Sequence, residues 1–410
     1  MYLLTAPETI LSYACGIGVL QGVLLAALIY FHPKADRSVN IFLALYIFCT
    51  SAVMSMPFIM QAVGWKNSYF MQPLPLFSGP LLYFYMRSFK ESITWCKMWP
   101  HFIFPVLFFF IAYFNISYLA TKYPGVHGIP KEVISAPTTI AAQLMKMTQQ
   151  VIYFLLARKT LVSYQRSIRH LFSETSRINL NWAKFLIYGF IVLVFSFMVI
   201  FPLMTQFPGK ALFLMLINMT AAVPYIYSAT VKGFLQNTIW QVQPEIPKLA
   251  VEAEIGKAEE IALNVIDATK EKKERPALNT DKVGELVQKI ILLMERDKLY
   301  QETELTLQQL AENLQVPTYL VSTALNEGLK KTFYDVVNGY RVGEAKRLLL
   351  DARNKNYTIL SIGFEAGFNS KTTFNTVFKK FTGLTPTEFR DKQKQVEQTP
   401  VTIRPSIAVS

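Results

Sequence analysis

The sequence has few charged residues, cysteines and histidines, and these shortages exclude several classes of protein. Only 17% of its 410 residues are charged, against about 25% in an ordinary soluble chain. The three cysteines and four histidines are too few for a disulfide scaffold and lack the paired spacing of a metal site. No catalytic constellation and no glycine-rich phosphate loop is present. We therefore predict that the protein is not an enzyme and holds no cofactor or metal.

The charged residues are also unevenly distributed along the chain. Residues 1–231 contain 16 Lys and Arg but only 5 Asp and Glu, whereas residues 232–410 contain 25 and 23. This distribution excludes a single soluble globule and a disordered chain. It predicts an all-α protein in which a seven-helix transmembrane bundle, residues 1–231, precedes a soluble helical domain.

Seven apolar stretches are long enough for membrane-spanning helices of about 20 residues. They cover roughly residues 10–31, 40–62, 69–88, 99–120, 138–157, 183–206 and 211–231. The odd-numbered connections between them contain 11 Lys and Arg, and the even-numbered ones contain 4. Because basic residues accumulate on the cytoplasmic side, we expect the N-terminus outside and the C-terminal domain in the cytoplasm.

The fifth of these stretches has a polar face. Gln143, Lys146 and Gln150 recur at helical spacing, and an ionisable residue at membrane depth is costly enough to be a functional candidate. Two interpretations remain open. The face packs inside the bundle, or it forms an intramembrane signal site for a small-molecule ligand.

Residues 232–282 are expected to form a partly helical cytoplasmic connector. Within it, residues recur at alternating spacings of four and three, as in a coiled-coil seam: Val251, Ile255, Ala258, Ala262, Val265 and Thr269. The seam residues are small. A dimerising helix, and with it a homodimer, is one interpretation, and a solvated stalk or a helix packed on its own domain is another.

From residue 283 to 394 the apolar spacing is helical throughout. Two similar sets, 52 residues apart, each combine a small residue with apolar neighbours: Leu310, Ala311, Leu314, Val316 and Val321, then Ile362, Gly363, Ala366, Phe368 and Phe374. Small residues allow two short helices to cross closely, as a helix-turn-helix requires. We therefore predict two helix-turn-helix units, joined by one long helix and followed by a flexible tail at 395–410.

Two motifs in this domain carry a family resemblance. They are EAKRLLL at residues 344–350 and IGFEAGFNSKTTFNTVFKKFTGLTPTEFR at residues 362–390. Both resemble the AraC/XylS-type DNA-binding domain, which implies a transcription regulator with double-stranded DNA as its partner and RNA polymerase as a further candidate. The whole layout is similar to membrane-bound regulators of this family from Bacteroidota-type bacteria. That similarity implies a multi-pass protein of the bacterial cytoplasmic membrane, with the lipid bilayer as another partner.

The resemblance also implies which residues of the second recognition helix contact DNA. The family's base-contacting positions fall on Lys371, Thr372 and Thr376, with Asn375 beside them. Lys can pair with guanine, Thr can contact a thymine methyl group and Asn can pair with adenine. The expected phosphate contacts, which position a protein on the duplex, are Lys379, Lys380 and Arg390.

The first recognition helix departs from the family pattern. Its base-contact candidates Tyr319, Ser322 and Thr323 are uncharged, and Lys330 stands where the family often has glycine. The net charge is −4 over residues 283–327 and +7 over residues 328–394. We therefore expect weaker base discrimination from the first unit.

Two hypotheses of different classes remain at this point. In the first, the protein is a membrane-anchored one-component transcription regulator whose bundle senses a signal or serves only as an anchor. In the second, the bundle is receptor-like and the soluble module is a protein-interaction adaptor, as the uncharged first recognition helix would allow. A sequence-specific footprint on DNA would distinguish them.

Overall fold

The computed structural model describes residues 6–31, 37–123, 131–175, 181–235 and 280–398. The chain divides into two compact units. The first consists of Met1–Gln165 and Leu180–Glu259, and the second consists of Arg166–Asn179 and Glu260–Ser410. The described residues of both units form helices and no β-strand, which confirms the all-α fold class.

The first unit is built from long apolar helices. They are α1 (Ala6–Tyr30), α2 (Arg37–Val53), α3 (Met56–Val63), α4 (Leu74–Ser88), α5 (Trp95–Lys122), the single turn α6 (Lys131–Ile134), α7 (Pro137–Leu171), α8 (Asn181–Gln206) and α9 (Ala211–Leu235). Helix α1 packs against α2 and α9, α2 packs against α4, and α8 packs against α9. The last residues of α7, from Arg166 onward, belong to the second unit.

Four helices in the described part of the chain are long and apolar enough to cross a membrane, not seven. They contain Thr9–Tyr30, Trp95–Lys122, Trp182–Gln206 and Ala211–Ala229. The stretch expected at 40–62 is interrupted, because α2 ends after 17 residues and rises only about 26 Å, less than the roughly 30 Å hydrocarbon core. In the stretch expected at 69–88, helix α4 has only 15 residues and is also too short to cross the membrane.

The stretch expected at 138–157 fails for a different reason. Helix α7 has 35 residues, but Gln143, Lys146, Gln149 and Gln150 interrupt its apolar sequence. The seven-span bundle is therefore not confirmed. The orientation with the N-terminus outside, which depends on that number, stays a prediction.

Two buried tyrosines inside the first unit are hydrogen-bonded to each other. The buried hydroxyl groups of Tyr46 and Tyr225 are 2.6 Å apart, and Tyr225 also donates to the carbonyl of Leu186. Gly189 faces the ring of Tyr225 so closely that a Cβ atom at this position would lie 2.1 Å from it. Because protein interiors are close-packed, only glycine fits here, and α8 and α9 approach closely.

The helices of the second unit lie where the apolar spacing predicts them. They are α10 (Thr280–Glu295), α11 (Leu307–Asn313), α12 (Thr318–Thr323), α13 (Phe333–Leu350), α14 (Ile359–Glu365), α15 (Lys371–Thr382) and α16 (Pro386–Gln398). A π-helical turn, Ala324–Gly328, continues α12. Helix α16 extends beyond the domain boundary expected at 394. Most of the predicted connector, including its coiled-coil-like seam, and residues 399–410 lie outside the described residues.

Side-chain caps explain why several of these helices begin where they do. Thr306, Thr358 and Ser370 each accept a hydrogen bond from the backbone N–H three residues later. Thr306 forms a full capping box with Gln309. Such a cap satisfies donors that the first helical turn leaves unpaired and stabilises a helix by about 1 kcal/mol. Each of these three helices therefore begins directly after its cap.

Two apolar cores lie along helix α13. Its N-terminal half, with Phe333 and Val337, belongs to a core built mainly from α10, α11 and α12. Its C-terminal half, with Val342 and Leu348, belongs to a second core built from α14 and α15. The linking helix is thus shared by both helix-turn-helix units.

Candidate nucleic-acid interface

The second helix-turn-helix, α14 and α15, is held together by a close helix crossing. A Cβ atom on Gly363 would lie 2.6 Å from the ring of Phe374, so only glycine allows this approach. In the turn, Gly367 has a φ of +95°, a backbone conformation that glycine adopts without strain. Gly363 belongs to the set from which a helix-turn-helix was predicted, and both glycines lie in the family-like motif at residues 362–390.

Helix α15 buries one face and exposes the other. Phe374, Val377 and Phe378 are buried in the second core, as expected for residues at this helical spacing. The opposite face carries exposed polar and basic side chains, namely Lys371, Thr372, Thr376, Lys379 and Lys380. The structure therefore brings the three principal base-contact candidates together on one accessible surface.

Two neighbouring residues of α15 are less accessible. Asn375 is half-buried, and Thr373 is only 8% exposed. The backbone N–H of Thr373 donates to the Ser370 cap, and its hydroxyl donates to Glu174 Oε1 over 3.4 Å. Thr373 thus serves the start of the helix, while Asn375 stays a candidate at the edge of the exposed surface.

The first recognition helix, α12, presents fewer side chains. Tyr319 is 56% exposed and Thr323 is half-buried, with its hydroxyl donating to the Tyr319 carbonyl. Ser322 is only 8% exposed, and its oxygen accepts a hydrogen bond from Asn326. Of the three predicted base contacts in this helix, Tyr319 is the most accessible and Ser322 the least.

The three expected phosphate contacts have different environments. Lys379 is exposed on α15, whereas the amino group of Lys380 lies 2.8 Å from Asp335 Oδ1. Burial opposes ionisation of Asp335, but its hydrogen bonds with Lys380 and Thr332 lower the pKa of its carboxyl group below its usual range. Arg390 is half-buried and donates to the carbonyl of Tyr357 over 3.1 Å. Lys379 is therefore the most available of the three for a phosphate.

Arg341 on α13 is fully buried between the two cores, and the sequence reading did not single out this role. Its Nε donates to the carbonyl of Tyr300 over 2.8 Å, and its Nη2 donates to the carbonyl of Glu302 over 2.6 Å. Burial lowers the pKa of Arg341 to about 10, so the guanidinium stays protonated at neutral pH. Its partners are about 40 residues away in the sequence, so no local pattern indicates these contacts.

The second unit also contains Arg166–Asn179, a segment that was predicted to belong to the transmembrane bundle of residues 1–231. The Ser173 hydroxyl donates to the carbonyl of Leu305 over 2.6 Å, and the Asn338 side chain donates to the carbonyl of Ser173 over 2.9 Å. Ser173 also accepts a hydrogen bond from Arg341. These partners are more than 130 residues apart in the sequence, so no local pattern indicates them.

The three residues of the predicted intramembrane site, in the first unit, line a single cavity. Gln143, Lys146 and Gln150 all face it from α7. The amino group of Lys146 donates to Gln72 Oε1 over 2.9 Å, and Gln150 donates to the carbonyl of Pro75 over 2.6 Å. The helical spacing therefore predicted correctly that these side chains share one face.

Comparison with protein families finds one match. Residues 310–392, from α11 into α16, match a helix-turn-helix domain of the AraC/XylS type. Neither the comparison with curated proteins nor that with solved structures finds a match, and the similarity of the layout to Bacteroidota-type membrane regulators is not confirmed. This match supports a DNA-binding domain of the type found in AraC-type regulators, and that family of domains is non-enzymatic.

Proposed function

We propose that the protein is a membrane-anchored one-component transcription regulator that binds promoter DNA through its two helix-turn-helix units. One observation carries the proposal. Within a domain of this family, Lys371, Thr372 and Thr376 are all exposed on the face of α15 opposite its core. Side chains of these types can read base edges in the major groove.

The length of the linking helix supports two recognition helices that contact DNA together. Helix α13 has 18 residues and rises about 27 Å, which is comparable with one turn of B-DNA at about 34 Å. In this proposal the second helix-turn-helix unit makes most of the base contacts. The first helix-turn-helix unit helps to position the domain and discriminates more weakly between bases. Lys379 contacts a phosphate, and Lys380 and Arg390 contribute less.

The apolar helices of the first unit hold this domain at the membrane. DNA lies in the cytoplasm, so the proposal places the domain there too. An odd number of spans then places the N-terminus outside and an even number places it inside. An N-terminal reporter that is active only on one side of the membrane would decide between seven spans and four.

Selection from random DNA duplexes tests the proposed function. The full-length protein in lipid nanodiscs would be incubated with the duplexes at about 150 mM salt, where non-specific phosphate binding is reduced. We expect enrichment of one motif, with the strongest information in one half-site. Salt-sensitive bulk binding without enrichment would contradict the proposal and favour the protein-interaction adaptor.

A further inference from the structure

The first unit contains a partly open cavity of about 290 Å³, which is close to the lower limit of the range for small-molecule sites. Its walls are mostly apolar, with Phe108, Ile116 and Phe197 among them. A few polar side chains from different helices project into it. This combination of apolar walls and few polar groups is typical of ligand sites.

Lys146 is the one charged side chain among the residues that line this cavity. Its amino group donates to Gln72 and lies 5.6 Å from the centre of the Phe108 ring. In the described part of the chain it forms no ion pair with a carboxylate. The shortage of acidic residues in the first 231 positions explains why, and an uncompensated buried cation is costly.

Two oxygen atoms of residues that line the cavity have no hydrogen-bond partner among the described residues, but both atoms are buried in its wall. Gln150 is 6% exposed, and its Oε1 has no hydrogen-bond partner among the described residues. The same holds for the hydroxyl oxygen of Thr139. Lys146 is therefore the group that could pair with a charged ligand in the cavity.

We infer that this cavity binds a single-chain carboxylic acid. The carboxylate pairs with Lys146, and the acyl chain fills the apolar part. One cation matches one monovalent carboxylate, whereas a phosphate dianion would need more. The volume suits one chain and not a two-chain phospholipid. The inference gives the chemical class of the signal in the proposed function, and it can be tested without DNA.

The test measures displacement of radiolabelled decanoate from the full-length protein in phosphatidylcholine nanodiscs, with empty nanodiscs as background. We expect unlabelled decanoate to displace the label and methyl decanoate to be at least about tenfold weaker, because the charge-assisted hydrogen bond is lost. Equal displacement by acid and ester, or no specific decanoate binding, would overturn the inference.

Variants of Lys146 locate the site. Lys146→Gln should reduce decanoate binding to the level of the ester, and Lys146→Arg should retain it. Lys159→Gln is the matched control, because Lys159 is exposed on the same helix and does not line the cavity. Unchanged binding by Lys146→Gln would overturn the inference. So would loss of decanoate binding when phosphatidylglycerol is added, since an anionic phospholipid would then occupy the site. If DNA selection enriches a motif but decanoate does not bind, the inferred ligand is refuted and the proposed function as a regulator still stands.

Discussion

The two helix-turn-helix units share an architecture but present different surfaces. Helix α15 exposes Lys371, Thr372 and Thr376 in one row, whereas α12 exposes chiefly Tyr319 and buries Ser322. The charge differs in the same sense, with −4 over residues 283–327 and +7 over residues 328–394. A common fold therefore does not imply a common share of the DNA contact, and that share depends on which side chains the exposed face carries.

The largest effect on stability is expected at α13, the helix that links the two helix-turn-helix units. Arg341→Ala would leave the carbonyls of Tyr300 and Glu302 without their buried donor, at a cost of about 3 kcal/mol or more. Hydrogen exchange of the α13 amides in the full-length protein measures this change. Arg347→Ala is the control, because Arg347 forms an exposed pair with Glu344 that is worth at most about 1 kcal/mol. Equal exchange in both variants would contradict the structural role of Arg341.

The next effect compares the two recognition helices directly. Lys371→Ala should cost about 1–3 kcal/mol on the selected DNA site and relax the base preference at one position, if Lys371 contacts guanine bidentately. Tyr319→Ala should cost less and leave the preference of the second half-site unchanged. Binding titrations against the selected duplex and its single-base variants measure both. A uniform loss of affinity in Lys371→Ala across all duplexes would instead assign Lys371 to a phosphate.

Salt dependence sharpens the comparison within α15. Lys379 is exposed, whereas Lys380 is paired with Asp335 and lies over the rings of Tyr334 and Phe381. Lys379→Ala should lower the slope of log K against log salt by about 0.9, the value for one phosphate contact. Lys380→Ala should change it less. Equal slopes in the two variants would show that the ion pair with Asp335 opens when DNA binds.

The helices of the second unit could be predicted from the sequence because their signals are local. Caps such as Thr306 and Ser370 act within three residues, and the apolar periodicity of α15 appears within one helix. The sequence also predicted that Gln143, Lys146 and Gln150 share a face. Local signals could not show that other chain segments close a cavity around that face.

The features that could not be predicted from the sequence depend on contacts between distant residues or on interruptions of helices. Ser173 contacts Leu305 and Arg341, and each partner is more than 130 residues away. The interruption of the second apolar stretch between α2 and α3 does not appear in its hydropathy, which stays high across the break. A count of apolar stretches therefore gave seven spans, whereas four helices in the described part of the chain meet the length and composition required.

The smallest predicted effect on stability concerns Lys330, where the first helix-turn-helix unit departs from the family pattern. Lys330 stands where glycine is frequent, and its φ is +53°, in a left-handed region that costs a non-glycine residue roughly 1–2 kcal/mol. Lys330→Gly relieves this strain but gains entropy in the unfolded chain, so we expect a net stabilisation of up to about 1 kcal/mol. Lys331→Gly is the matched control, because Lys331 does not have a positive φ and should lose stability on substitution. Thermal unfolding of both variants would measure the difference, and destabilisation of the two by equal amounts would show that Lys330 is not strained.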